Sequence, residues 1–126
     1  MNVVDSSAWL EYFADGPNAT FFAKPIEAPK RLIVPTVTLF EVFKRVLVQR
    51  DEGAALQAVA VMGQGQIIEL DTPLALTAAK LSAERRLPMA DSMILATAQQ
   101  YDATIWTQDA DFKDLPNVEF KAARKS

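Results

Sequence analysis

Four carboxylates, Asp5, Glu41, Asp91 and Asp109, stand where separate structural elements are expected to begin or end, in a chain of 126 residues with no histidine and no cysteine. That combination removes most catalytic chemistries. Without histidine there is no Ser-His-Asp triad. Without cysteine there is no thiolate nucleophile, no thiolate zinc site, no disulfide and no c-type haem. What remains is hard oxygen chemistry. Carboxylates suit Mg²⁺ or Mn²⁺, and such an ion polarises an oxygen and lowers the pKa of water.

Each acid also has a structural reading. Asp5 precedes a helix, where an acid often serves as a cap, although Ser6 and Ser7 can cap equally well. Glu41 lies opposite an apolar stripe and is spaced to pair with Arg45 one turn on, which reads as a solvated ion-pair face; Val37 and Val48 share that side, so it is not wholly polar. Asp91 falls in the first turn of a very apolar helix, where it favours the helix dipole, yet a buried helix that begins with an acid also calls for a partner to the charge. Asp109 and Asp111, two apart after a strand, fit an Asx-turn. Gathered at one edge with no histidine to neutralise them, such carboxylates raise one another's pKa values unless a cation is present.

The elements that must position these acids follow from the pattern of the chain. Met1–Asp5 reads as a short buried strand, with helices over Ala8–Ala14 and Ala19–Lys24 behind it. Arg31–Val34 is a second strand, closed by Pro35. A long helix runs from Thr36 or Thr38 to about Gln49, with Leu39, Phe40, Phe43, Val46 and Leu47 as its apolar stripe. A further helix spans Asp51–Met62 and ends at Gly63 and Gly65. Gln66–Leu70 is a third strand. Thr72 as N-cap and Pro73 behind it open a helix to Arg86, and Pro88 separates this from Ala90–Gln100, apolar nearly all round and expected to be buried. Thr104–Trp106 is a fourth strand, Asp109–Leu115 a turn or short helix, and Val118–Phe120 a fifth strand. Short apolar strands alternating with helices imply a parallel sheet of about five strands, covered on both faces in a three-layer α/β/α sandwich. Ligands in such sheets bind beyond the carboxyl ends of the strands, the edge where Asp5 and Asp109 project.

Composition sets the outer bounds. Half of the residues are apolar, enough for a core, and the length suits a single domain over 1–120 with a loose basic tail over 121–126. No apolar run is long enough to span a bilayer, and the start MNVVDSS lacks the pattern of a signal peptide. A cytoplasmic protein without membrane association is expected, in keeping with the lack of cysteine. The net charge is −3, which argues against a general nucleic-acid binder but says nothing about local patches.

Four segments carry a family resemblance: VVDSSAWLEYF at Val3–Phe13, TVTLFEVFK at Thr36–Lys44, LPMADSMILATA at Leu87–Ala98 and TQDADF at Thr107–Phe112. In this order and spacing the chain resembles the PIN-domain ribonucleases, and more narrowly the VapC-type toxins of bacterial and archaeal toxin–antitoxin pairs. The resemblance implies that Asp5, Glu41, Asp91 and Asp109 form an acidic pocket for Mg²⁺ or Mn²⁺, against the solvated reading of Glu41. Ser6 and Thr107 match assisting hydroxyls, and Asp111 a less uniform extra acid not expected to be a direct ligand. A metal-dependent endoribonuclease is implied, with Asp91 or Glu41 taking a proton from water and 5′-phosphate and 3′-hydroxyl ends as products. Lys44, Arg45, Arg85, Arg86 and Lys113 are candidates to hold the RNA backbone. A cognate antitoxin, a homodimer, and operator DNA reached only through the antitoxin are implied partners, with Trp9, Tyr12, Phe13, Phe40 and Phe43 as candidates for an antitoxin groove and plain core packing as the alternative favoured for at least half of them. The rival reading is a non-catalytic PIN-like binding module whose acidic pocket receives a partner's Arg or Lys. A receiver-type phosphoacceptor fits less well, because Asp5-Ser6-Ser7 and Thr107-Gln108-Asp109 stand where that design has paired acids and a lysine. A DNA nuclease on the same site is not excluded by any residue.

Overall fold

Two apolar faces per strand dictate the architecture. The computed structural model describes residues 1–124. Its strands are β1 (Asn2–Val4), β2 (Leu32–Pro35), β3 (Gln66–Ile68), β4 (Thr104–Thr107) and β5 (Val118–Phe120). All pair in parallel, in the order β3-β2-β1-β4-β5. Successive side chains point to opposite faces, so Val3, Ile33 and Ile105 enter one core while Val4, Leu32, Val34 and Trp106 enter the other. The first core is closed by α5 (Thr72–Arg85) and α6 (Met89–Gln100). The second is closed by α1 (Ser6–Phe13), α2 (Ala19–Ile26), α3 (Thr36–Gln49) and α4 (Glu52–Met62). This is the expected three-layer α/β/α sandwich.

Local chemistry explains the boundaries, and several differ from the sequence reading. Helix α1 begins at Ser6, two residues earlier than expected, because Asp5 itself is the N-cap and accepts a hydrogen bond from the Ala8 N–H. Asp71, not Thr72, caps α5, with its carboxylate on the Leu74 N–H. That helix ends at Arg86 in the left-handed region, φ 56°. Strand β3 stops at Ile68 rather than Leu70. Gly65 leads into it because a Cβ there would lie 2.9 Å from Val34 Cγ2 and 3.0 Å from the Leu32 carbonyl oxygen.

Helix α3 holds the main surprise of packing. Its buried residues are Thr38 and Val42, whereas Phe40 is 65% exposed and Leu47 41% exposed. Of the apolar stripe, Leu39 and Val46 pack against the second core, while Leu39, Phe40, Phe43 and Leu47 border a groove shared with Val59 of α4. Helix α6 agrees with expectation, with Ser92 and Ile94 through Ala98 buried.

The tail from Lys121 is not loose over its first residues. The Lys121 N–H donates to the Thr107 carbonyl at 3.0 Å, the Asn18 amide donates to the Ala122 carbonyl at 2.9 Å, and Arg124 donates to the Pro17 carbonyl at 3.1 Å. The rest of the expected tail lies outside the described residues.

Candidate metal centre

The chain builds its sheet outward from β1 in both directions, first through β2 and β3, then through β4 and β5. The order therefore reverses between β1 and β4, and a crevice opens beyond their carboxyl ends, where open α/β sheets bind ligands. Asp5 follows β1 directly, and Asp109 follows β4 by two residues. Helix α6 delivers Asp91 from its first turn and α3 delivers Glu41 from its second. All four acids line one cavity of about 480 Å³.

Asp5 is the most constrained of them. It is 2% exposed, and its carboxylate is shared between the fold and the site. Oδ1 accepts from the Ala8 N–H at 3.0 Å and from the Ser7 hydroxyl at 2.8 Å. Oδ2 accepts from the Thr107 hydroxyl at 2.6 Å. Thr107 Oγ1 in turn accepts the Asp109 N–H at 2.8 Å, so one buried hydroxyl joins two of the acids. Ser7, read from sequence only as a cap, is an Asp5 partner. Ser6 donates to Glu41 Oε1 at 2.5 Å across the cavity, which turns Glu41 inward and sets aside the solvated reading of that residue.

A tighter cluster forms opposite. Asp91, Asp109 and Asp111 each offer a carboxylate oxygen within 4.8 Å of the others. Asp111, not expected to be a direct ligand, thus sits closer to Asp91 and Asp109 than the sequence suggested. Asp5 and Glu41 line the cavity outside that cluster. The Asx-turn expected from the spacing of these two acids is present: Asp109 Oδ1 accepts the Asp111 N–H at 2.9 Å, and the turn folds the second acid back beside the first.

Crowding is visible in the titration of these groups. Burial pushes Asp91 up to about 8, with further elevation from the Asp109 charge and from hydrogen bonds with Asp111 and Asp109. Burial also raises Asp5 to about 6, against the lowering influence of Thr107, Ala8 and Ser7. At neutral pH Asp91 thus keeps a proton that an ordinary carboxylate would release, and a divalent cation bound there competes with that proton. The donor set is all oxygen, without a soft ligand, which fits Mg²⁺ or Mn²⁺.

Of the basic candidates, Lys44 and Arg45 line the acidic cavity. Arg85 borders a separate small cavity beside Asn117, and neither Arg86 nor Lys113 lines the acidic one. Of the aromatic groove candidates, Trp9 is 1% exposed and belongs to the core. Phe13 lines a cavity of about 650 Å³ between α1, α3 and α4, and Phe40 and Phe43 line the apolar groove beside α3.

Comparison with known proteins bears on the fold and the family. No curated protein matches the chain. A toxin–antitoxin complex from Klebsiella pneumoniae aligns with a TM-score of 0.80 at 22% identity, covering 94% of this chain and 96% of that one. The sarcin–ricin loop cleaving toxin VapC20 of Mycobacterium tuberculosis gives 0.80 at 18%, covering 94% and 98%. DNA-bound VapBC from Salmonella typhimurium gives 0.73 at 15%, covering 97% and 98%. At these identities the likeness shows a shared fold. The family model for the PIN domain matches residues 3–118, a span that contains every acid of the cavity, and the chain belongs to the PIN domain family.

Proposed function

We propose that this protein is a metal-dependent endoribonuclease and the toxin of a toxin–antitoxin pair. The observation that carries the reading is the convergence of Asp5, Glu41, Asp91 and Asp109 on one cavity at the sheet's switch point, in a chain of the PIN domain family. Asp91, Asp109 and Asp5 would hold Mg²⁺ or Mn²⁺, with Glu41 and Asp111 completing the oxygen set. When bound, the ion supplies Lewis-acid polarisation of a phosphodiester oxygen and a lowered pKa for water.

The chain's own residues do the rest. Thr107 fixes the Asp5 carboxylate and the Asp109 backbone in one arrangement. Ser6 holds Glu41 toward the cavity. Asp91, whose affinity for protons is raised, and Glu41 are the groups placed to accept a proton from the attacking water. Lys44 and Arg45 hold the RNA backbone at the cavity mouth, where they offset the negative pocket.

The same reading assigns the partners. A helix of a cognate antitoxin occupies the cavity between α1, α3 and α4, lined by Leu10, Phe13, Val46 and Val61, in the helix-in-groove mode. A second copy of the chain covers the exposed apolar side chains of α3 and α4, Leu47 and Leu56 among them. Operator DNA is reached through the antitoxin. The likeness to a toxin–antitoxin complex and to DNA-bound VapBC supports this assembly. Among the described residues no helix is long and apolar enough to cross a membrane, and the proposed RNA substrate fits a cytoplasmic protein.

The test is cleavage of total cellular RNA by antitoxin-free protein in Mg²⁺ or Mn²⁺, beside EDTA, Asp5→Ala and Asp91→Asn controls. Discrete cuts with 5′-phosphate ends, absent from all three controls, are expected. A folded, metal-loaded protein that cuts no RNA would instead favour a binding module whose acids receive a partner's Arg or Lys.

A further inference from the structure

Asn18 stands at the start of α2, where an asparagine ordinarily caps the helix through its side-chain oxygen. Here the side chain caps no N–H of α2, and Oδ1 is buried without a hydrogen-bond partner among the described residues. The residue is 1% exposed. A buried amide that forgoes its cap and leaves an oxygen unsatisfied is a poor choice for stability alone. Its two donors explain its place. Nδ2 donates to Gln108 Oε1 at 2.7 Å and to the Ala122 carbonyl at 2.9 Å. A carbonyl can only accept, so Ala122 fixes which way the amide faces and leaves the second N–H for Gln108. From the α1 side, Glu11 Oε2 accepts the Asn18 N–H at 2.6 Å and seats the residue.

Gln108 lies between two residues of the metal centre. Thr107 holds Asp5, and Asp109 lines the acidic cavity. Gln108 borders the neighbouring cavity instead, as the alternation of side chains in an extended segment requires. Strand β4 ends at Thr107, so the sheet ladder gives out just before the acid that must be placed. The Gln108 N–H has only a long bond, 3.3 Å to Ser7 Oγ. The bond from Asn18 to the Gln108 side chain restrains this segment from the side opposite the acids.

We propose that Asn18 is a positioning residue for the metal centre, acting through Gln108 to fix the backbone that carries Asp109. The proposal rests on the reading of the acidic cavity as a divalent-cation site and adds to it a residue outside the cavity. The competing role is a plain anchor for the C-terminal segment, since Ala122 shares the same amide. That segment has other holds, from Lys121 to the Thr107 carbonyl and from Arg124 to the Pro17 carbonyl. The Gln108 side chain has no hydrogen-bond partner but Asn18 among the described residues, so Gln108 is the one that depends on it.

The experiment measures Mn²⁺ binding to the whole chain by calorimetry, for wild type, Asn18→Leu, Gln108→Leu and the double variant. Urea unfolding in EDTA verifies that each is folded. Groups that orient metal ligands from outside are worth about 10- to 100-fold in affinity. One residue further from the ligand, each single variant should bind about 10-fold more weakly, at the low end of that range. Both substitutions cut the same bond, so the double variant should lose no more than either single one, whereas independent sites would multiply to about 100-fold. The EPR spectrum of bound Mn²⁺, which follows ligand symmetry and not stability, should change alike in both single variants. Lower stability of Asn18→Leu with unchanged Mn²⁺ affinity and spectrum overturns the proposal in favour of the C-terminal anchor. Multiplied losses in the double variant overturn the route through Gln108. Should Asn18→Leu fail to fold, Gln108→Leu decides, because Gln108 is only half-buried, and its unchanged Mn²⁺ affinity overturns the proposal. Wild type that binds no Mn²⁺ removes the metal reading and the proposal together, whereas tight binding by every variant removes the proposal alone.

Discussion

The buried carboxylate of Asp5 should make the metal-free protein less stable as pH rises, and Asp5→Asn should abolish that loss. Asp5 is 2% exposed, and burial raises its pKa from the ordinary 3.8 to about 6. Between these values the folded state binds the proton more tightly than the unfolded state. Stability from this group is therefore complete below about pH 4 and falls through the window up to about pH 6, above which it is flat. The interval corresponds to about 3 kcal/mol at about 1.4 kcal/mol per pH unit, or about 10 °C in Tm for a domain of this length. Asparagine caps helices as well as aspartate does, so the bond to the Ala8 N–H survives. The hydroxyl of Thr107 must reorient to accept from the new amide, which adds an offset that does not vary with pH. The decisive quantity is thus the difference in unfolding free energy between Asp5→Asn and wild type, measured by urea unfolding in EDTA from pH 3.5 to 7.5. It should grow by about 3 kcal/mol in favour of the variant. A difference flat within about 0.5 kcal/mol, the usual scatter for unrelated sites, would refute the claim that burial is charged to this carboxylate. Saturating Mn²⁺ should recover stability in the wild type above pH 6 and recover less in the variant.

Mn²⁺ should raise Tm at pH 7.5, and the rise should grow from pH 5.5 to 8 as protons leave Asp91, whose pKa lies near 8; scanning fluorimetry of wild type against Asp91→Asn, which should lose most of the rise, checks this. Thr107→Val keeps the buried shape but removes the hydroxyl that joins Asp5 to Asp109. It should weaken Mn²⁺ binding about 10- to 100-fold by calorimetry, the scale for groups that orient metal ligands. Trp9→Ala should cost about 3–5 kcal/mol in urea unfolding, because Trp9 is 1% exposed and stacks on Phe13 at 5.6 Å; a small loss would return Trp9 to the antitoxin groove.

The parts that were legible in the sequence were those whose signal is local. Strands with apolar residues on both faces, such as Leu32–Val34, can sit only inside a covered parallel sheet, and helix α6, apolar all round, has nowhere to go but the interior. Asp5 and Asp109 were placed because the carboxyl ends of parallel strands share one edge. The bonds that join distant elements at the site were not legible, since they cross the chain. Thr107 reaches Asp5 over 102 residues and Ser6 reaches Glu41 over 35. The sequence allowed either serine to cap α1; the structure uses neither, because both hydroxyls are engaged with acids.

Helix α3 shows why periodicity alone misleads. The pattern marks an apolar stripe but not what covers it. Leu39, Phe43 and Val46 pack only partly, Phe40 and Leu47 face outward, and the residues that enter the core are Thr38 and Val42. That rotation has a consequence for the site. Glu41 lies next to Val42 in sequence, about 100° away around the helix, so seating Val42 in the core swings Glu41 toward Ser6 and the cavity. Had the apolar stripe been buried instead, Glu41 would have faced solvent beside Arg45. The exposed apolar surface of α3 and the inward acid are thus two results of one choice of helix face. A substitution that pulls Phe40 or Leu47 into the core should remove Glu41 from the metal centre without touching an acid.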